Sequence, residues 1–175
     1  MRRITLIVLI ATFNLIFLQS IKAEVKLPAI VSSNMVLQRN TTIMLWGWAD
    51  AKEKITIKTS WLDEQINIKA DIEGNWHIEV KTTNSKEPQT ISINSKTSAI
   101  TLENVLFGEV WLCSGQSNMQ QSVRGFVGQP TFGSAMAIAN SNNDQLRLFT
   151  VATVGSKTPL KELEKFTAWQ QASPN

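Results

Sequence analysis

The chain has 175 residues, of which 43% are hydrophobic, with one Cys, one His and a formal net charge of +3. This is ordinary globular composition, which excludes a disordered chain, a collagen-like repeat and a disulfide scaffold. Three of the 17 Lys and Arg residues lie within positions 1–23, and the other 14 are balanced by 14 Asp and Glu residues, so no positive surface for nucleic acid or an anionic membrane is expected.

The first 23 residues have the three parts of a secretory signal peptide. Arg2 and Arg3 form a basic start, residues 4–18 are almost wholly apolar, and the segment ends on the small residue Ala23. A membrane anchor is the rival interpretation, but such a run spans only about 22 Å as a helix, against a hydrocarbon core of about 30 Å. We therefore expect cleavage after Ala23, no stable membrane anchor, and a secreted or periplasmic protein.

Residues 24–106 are predicted to form an antiparallel β-sandwich. Short runs rich in β-branched and aromatic residues alternate with polar turns, and none has a helical period. Six or so strands fit here, which is typical of two packed antiparallel sheets. The runs cover residues 41–48, 54–61, 65–70, 76–80, 89–94 and 98–103.

A hairpin is predicted at residues 71–75, between the third and fourth of these runs. The sequence there is DIEGN, and few residues remain to reverse the chain. Gly74 suits this place because a positive φ is cheap only for glycine. We expect a larger residue at position 74 to destabilise the sandwich.

The pattern changes near residue 105, where an α/β domain is predicted to begin. Residues 109–113 are nearly all apolar, which is typical of a strand buried on both faces. Residues 132–139 have helical spacing and residues 145–151 form the next strand, which together would make one parallel crossover unit. Such a domain usually needs about twice the residues that remain, so we expect the chain to be the N-terminal part of a longer protein.

Ser117 is the candidate nucleophile, because it lies where this predicted strand turns into a helix. Ligands of open α/β sheets bind at the carboxyl ends of strands, and N–H groups at a helix start donate to an oxyanion. The order Gly115, Gln116, Ser117, Asn118 is followed by Met119, so it is not the G-x-S-x-G elbow. A different class of serine hydrolase is indicated.

Several blocks of sequence carry a resemblance to a known family. Residues 108–119, GEVWLCSGQSNM, closely resemble the nucleophile block of secreted sialate O-acetylesterases, which are SGNH or GDSL-like hydrolases. The likeness extends to SNMVLQR at residues 33–39, WGW at 46–48, LRLF at 146–149 and WQ at 169–170. The resemblance implies removal of O-acetyl groups from sialic acid through a serine acyl-enzyme, without a cofactor.

The resemblance also implies roles for individual residues. Ser117 would attack the acetyl carbonyl, its backbone N–H would bind the oxyanion, and Gly115, Gln116 and Asn118 would complete the nucleophile turn. In the family a later Gly and Asn add oxyanion donors, and the His of an Asp-x-x-His block is the base. No position of this chain matches those blocks. We therefore expect an α/β/α SGNH domain from residue 107 that is truncated here, and an inactive 175-residue chain.

Other residues that could carry chemistry have simpler interpretations. His77 is the only imidazole, but alternation along residues 76–81 places it with Glu79 and Lys81 on the solvent side of a strand, so it is not expected to pair with Ser117. Cys113 is expected to be a small core residue rather than a nucleophile. One His and one Cys far apart make no metal site.

Two alternative functions remain open at this point. Related esterases that act on xylan share the Ser-Asn block, so acetylated plant polysaccharide is an alternative substrate. The 175-residue chain could also be a non-catalytic carbohydrate-binding β module. Trp46, Trp48, Trp61 and Trp76 would then form a sugar platform, whereas we expect them in the sandwich core or at its interface with the catalytic domain.

Overall fold

The computed structural model describes residues 24–174, whose regular secondary structure is mainly β-strand. The signal peptide predicted at residues 1–23 lies outside the described residues. Within the described part we find no helix of the length and hydrophobicity that spanning a bilayer requires. The first seven strands are β1 (Val36–Gln38), β2 (Thr42–Trp48), β3 (Lys54–Thr59), β4 (Ile66–Lys69), β5 (Asn75–Lys81), β6 (Gln89–Asn94) and β7 (Ala99–Gly108).

These seven strands form two sheets that share one hydrophobic core. One sheet has the order β1-β7-β6-β3-β4, and the other contains β2 and β5. Side chains of β3, β5 and β6 alternate between buried and exposed, as expected when one face of a sheet packs on a core. All six predicted runs are confirmed as strands, and β1 adds a seventh that pairs parallel to β7. The core includes Met35, Leu45, Ile55, Ile57, Val80, Ile91, Ile93 and Val105.

The turn predicted at residues 71–75 is present, but it does not form a hairpin. The Asp71 carboxylate accepts the backbone N–H groups of Glu73 and Asn75, each at 2.8 Å, and Gly74 has a φ of +86°. However, β4 pairs with β3 and β5 pairs with β2, so the turn carries the chain from one sheet to the other. The hairpin prediction is wrong because alternation shows which face of a strand is buried, not which strand lies beside it.

Residues 109–113 do not form the predicted strand. β7 ends at Gly108, and the side chains of Trp111 and Leu112 are 83% and 94% exposed. Cys113 is also exposed, so its assignment to the core is wrong. A strand buried on both faces needs neighbouring strands and a covering layer on each face, and residues 24–174 supply neither at this place.

The chain after Gly108 contains short elements and one longer antiparallel hairpin. The short ones are a 3-10 helix (Ser117–Gln120), β8 (Gly125–Phe126), β9 (Gln129–Pro130) and α1 (Ser134–Ala139), followed by β10 (Asn143–Val151) and β11 (Phe166–Ala172). The predicted helix at 132–139 and strand at 145–151 are confirmed with shifted ends. The predicted parallel crossover is wrong, because β10 pairs antiparallel with β11 and its intended partner at 109–113 is not a strand.

The β10–β11 hairpin is attached to the sheets through Trp169. Its ring packs against the core cluster, and its indole N–H donates a hydrogen bond of 2.8 Å to the Ile30 carbonyl. Phe149 on the neighbouring strand lies 5.3 Å from the Trp169 ring, measured between centroids. Trp169 therefore lies on a strand that ties the later part of the chain to the first.

Candidate functional site

Ser117 is exposed and is the first residue of the 3-10 helix Ser117–Gln120. The Met119 N–H donates to the Gln116 carbonyl at 2.8 Å, which closes the turn around Ser117. The helix start predicted at this serine is thus present in 3-10 form. Within residues 24–174 no group accepts the backbone N–H of Ser117 or Asn118, and none is hydrogen-bonded to the Ser117 hydroxyl. Both kinds of group are free to meet a substrate.

Gly115 leaves space for a side chain of the same turn. A Cβ at this position would lie 2.6 Å from the Met119 Cγ atom, closer than packed atoms come. Gly115 is not among the glycines with positive φ, so close approach rather than backbone conformation explains why glycine fits. The predicted turn residues Gly115, Gln116, Ser117 and Asn118 therefore form one continuous exposed loop.

The structure does not bring a catalytic partner to Ser117 from the rest of the described chain. His77 lies on the outer face of β5, as predicted, and its partner across the β2–β5 sheet is Trp46. No hydrogen bond connects His77 with Ser117 within residues 24–174. The same residues contain no cluster of three or more His, Cys, Asp or Glu side chains suited to a metal ion.

The four tryptophans of the sheets have different environments. Trp76 is buried in the core, one of the two places predicted for these rings, whereas Trp46 is 37% exposed on the outer face of β2 and lies outside the core, which leaves the predicted domain interface as its place. Trp61 is half-buried and packs edge to face on Phe107 with ring centroids 4.9 Å apart. Trp48 is half-buried on the same face as Trp46.

Glu109, near the start of the nucleophile block, is held by two side chains from the end of β1. The Gln38 amide donates to its Oε2 atom at 2.9 Å and Arg39 donates from Nε to its Oε1 atom at 2.7 Å. The hydrogen bond from Gln38, and then that from Arg39, hold the pKa of Glu109 below its ordinary value. The sequence analysis does not predict these contacts, although Gln38, Arg39 and Glu109 all lie in the two blocks, 33–39 and 108–119, that carry the family resemblance.

The chain is similar to curated sialate O-acetylesterases over most of its length. It is 27% identical over 146 residues to that of Rattus norvegicus, and 26% identical over 144 residues to that of Homo sapiens. These matches cover 77% and 76% of this chain but 26% of each relative. The chain therefore spans about a quarter of the length of the curated relatives it matches.

The fold is also similar to a solved structure. A crystal structure of a carbohydrate acetylesterase from Xanthomonas citri matches it with a TM-score of 0.78 and 26% identity, over 86% of this chain and 33% of that chain. No family model matches the sequence. The sequence matches and the structural match agree in the class of protein they identify, and they support the sialate O-acetylesterase family for this chain.

Proposed function

We propose that this chain is part of a secreted carbohydrate esterase that removes O-acetyl groups, with acetylated sialic acid as its substrate and Ser117 as its nucleophile. One observation carries the proposal. Ser117, in the block that resembles the family's nucleophile block, is exposed at the first position of a tight turn, where its hydroxyl and its N–H are unpaired within residues 24–174. The names of the related proteins support the same reaction class.

The proposed chemistry is acyl transfer through a covalent acetyl-enzyme. The Ser117 Oγ atom attacks the acetyl carbonyl carbon while a base takes its proton, and the carbonyl oxygen becomes an oxyanion that accepts a hydrogen bond from the Ser117 N–H. Collapse breaks the ester C–O bond, and the sugar leaves with that proton on its hydroxyl. Water then attacks the acetyl-serine, which releases acetate and restores Ser117.

We also propose that the 175-residue chain does not turn over substrate by itself. A serine is a weak nucleophile without an adjacent base, and the only imidazole of the chain, His77, lies on the outer face of another sheet. The exposed apolar side chains of Val110, Trp111 and Leu112 support a further part of the protein that covers them. An α/β/α SGNH domain from residue 107, and a sandwich made by the two sheets, belong to this proposal.

Release of acetate is the test. The 175-residue chain, and the longer product if the reading frame continues, are assayed on O-acetylated sialic acid and on acetylated xylan. In an active product, Ser117→Ala should lower kcat by about 10⁴- to 10⁶-fold, whereas Ser114→Ala, a matched change in the same loop, should leave it within about threefold. Equal effects of the two changes would refute Ser117 as nucleophile. A preference for xylan would favour the plant-polysaccharide alternative.

A non-catalytic carbohydrate-binding module is the second candidate function. It is favoured by Trp46 and Trp48, which lie on the outer face of β2 with the Lys26 ammonium 5.4 Å from the Trp48 ring centroid. Tryptophan rings offer apolar area beside a polar N–H, which suits a binding surface. Under this alternative Trp46→Ala should abolish binding to an acetylated glycan. Neither the 175-residue chain nor a longer product of the same reading frame should release acetate. Loss of acetate release on Ser117→Ala would decide against it.

A further inference from the structure

The nucleophile block leaves the sheet at a place where Gln38 and Arg39 hold its Glu109 side chain. Glu109 accepts a hydrogen bond from Gln38 on one carboxylate oxygen and from Arg39 on the other. The Gln38 Oε1 atom in turn accepts the Val110 backbone N–H at 2.9 Å. We call Gln38, Arg39 and Glu109 the β1 clamp.

The β1 clamp extends the pairing of two strands beyond their ends. β1 and β7 run parallel with Gln38 opposite Gly108, and the Arg39 N–H donates to the Gly108 carbonyl at 3.0 Å. The residue after β7 is Glu109, which contacts the end of β1 through its side chain instead of through backbone hydrogen bonds. The clamp therefore continues a rigid sheet by one more residue toward the nucleophile.

The clamp is also the last anchor before the Ser117 turn. Within residues 24–174 no hydrogen bond involves residues 111–115, and the next one along the chain joins the Met119 N–H to the Gln116 carbonyl. The side chains of residues 109–120 are exposed, so core packing does not fix this segment either. The direction in which the segment starts is thus set by what holds Glu109 and Val110.

We propose that the β1 clamp is a positioning device, which fixes the start of the segment 110–116 and thereby the place at which Ser117 meets the substrate. Gln38, Arg39 and Glu109 are positioning residues and not catalytic ones, because their side chains contact one another and the Val110 backbone rather than Ser117. The pKa of Glu109 lies below its ordinary value, because Gln38 and then Arg39 donate hydrogen bonds to the ionised carboxylate. The expected fall in kcat rests on the proposed function, whereas the expected change in the mobility of the segment does not.

A small displacement of a nucleophile has a large kinetic effect. A shift of about 1 Å in a reacting group costs on the order of 10²-fold in rate. Exposed ion pairs, in contrast, contribute little to folding stability. Loss of the clamp should therefore lower kcat by about 10- to 100-fold, with KM within about twofold and the urea unfolding midpoint almost unchanged. A role in stability alone would move the midpoint instead.

Cys113, the only cysteine of the chain, is exposed between the clamp and Ser117 and provides a direct probe of this segment. A nitroxide spin label on Cys113 reports the motion of the segment by electron paramagnetic resonance. Gln38→Ala and Arg39→Gln should both sharpen the spectrum, which indicates greater mobility. Glu103→Gln, an exposed change on the same strand β7, is the matched control and should leave the spectrum unchanged.

Charge reversal gives a rescue experiment. Arg39→Glu places two carboxylates together and should increase the label mobility most, whereas Arg39→Glu combined with Glu109→Arg restores opposite charges and should return the spectrum toward that of the unchanged protein. In unlabelled protein that releases acetate, kcat should be lowest for Arg39→Glu and should recover in the double variant. Rescue distinguishes a specific contact from general damage.

The outcomes separate this inference from the proposed function. Equal label mobility in the clamp variants and in Glu103→Gln would overturn the clamp. Greater mobility with an unchanged kcat would overturn its role in positioning. If the unchanged protein releases no acetate in any form, the proposed function fails, and the clamp is then decided by the spin-label spectra and their rescue alone.

Discussion

Gly74 is the residue whose replacement tests the path between the two sheets most sharply. It has a φ of +86°, which is strained for any residue with a Cβ, and its carbonyl accepts the Ala49 N–H at 2.8 Å. A Cβ at this position would also collide with the Ala49 carbonyl oxygen. Because that oxygen is backbone, the collision is relieved only if the turn moves away from β2.

The size of the effect follows from these contacts. Left-handed backbone costs a residue with a Cβ about 1–2 kcal/mol, and weakening the bond between Ala49 and Gly74 adds about 0.5–1.5 kcal/mol. The smaller entropy of the unfolded alanine chain offsets about 0.4–1 kcal/mol. We expect Gly74→Ala to lower the free energy of unfolding by about 0.5–3 kcal/mol. Gly128 has a φ of +80° with nothing within 4 Å of its Cβ position, so Gly128→Ala carries the strain without the collision.

Urea unfolding followed by tryptophan fluorescence measures both variants. The buried ring of Trp76, next to the turn at the start of β5, reports on the core. Gly74→Ala should lose about 1 kcal/mol more than Gly128→Ala, which is the contribution of the crowding at Ala49. An equal or smaller loss at Gly74 would refute the account of this turn.

Three further predictions concern other parts of the chain. Trp169→Phe keeps an aromatic ring but leaves the Ile30 carbonyl without its donor, so urea unfolding should show a loss of about 0.5–1.5 kcal/mol. The Asn75 side chain, and then its backbone N–H, lower the pKa of Asp71. The stabilising contribution of Asp71 is therefore complete above about pH 5 and is lost as the pH falls through the pKa of the folded state. When the unfolding midpoint is measured against pH, Asp71→Asn should reduce its decrease at acid pH. We propose that the mature protein begins at Glu24, which N-terminal sequencing of secreted material checks, and an intact segment 1–23 in a membrane fraction would contradict cleavage.

Local pattern predicted the strands of the sheets well, because each depends on neighbouring residues. In β5 the alternation of Trp76, Ile78 and Val80 with polar residues places one face on the core, and His77 consequently points outward. The choice of partner strand is different. It depends on the whole set of strands, so alternation alone predicts a hairpin at residues 71–75, whereas the turn joins two sheets.

Apolar content alone did not predict the structure of the nucleophile block. Val110, Trp111 and Leu112 are as apolar as a buried strand, but burial requires a surface to pack against, and residues 24–174 place none there. The sequence does not indicate the β1 clamp, because its members are far apart in the chain. Gln38 and Arg39 lie about 70 residues before Glu109 in sequence, and no local spacing rule connects them.

Covalent labelling decides whether Ser117 is the nucleophile. A preparation that releases acetate from O-acetylated sialic acid is treated with a fluorophosphonate, digested, and mapped by mass spectrometry. The adduct should lie on Ser117, appear at the rate at which acetate release is lost, and be absent from Ser117→Ala. An adduct on another residue that accompanies loss of activity, or full inactivation with Ser117 unmodified, would contradict the account.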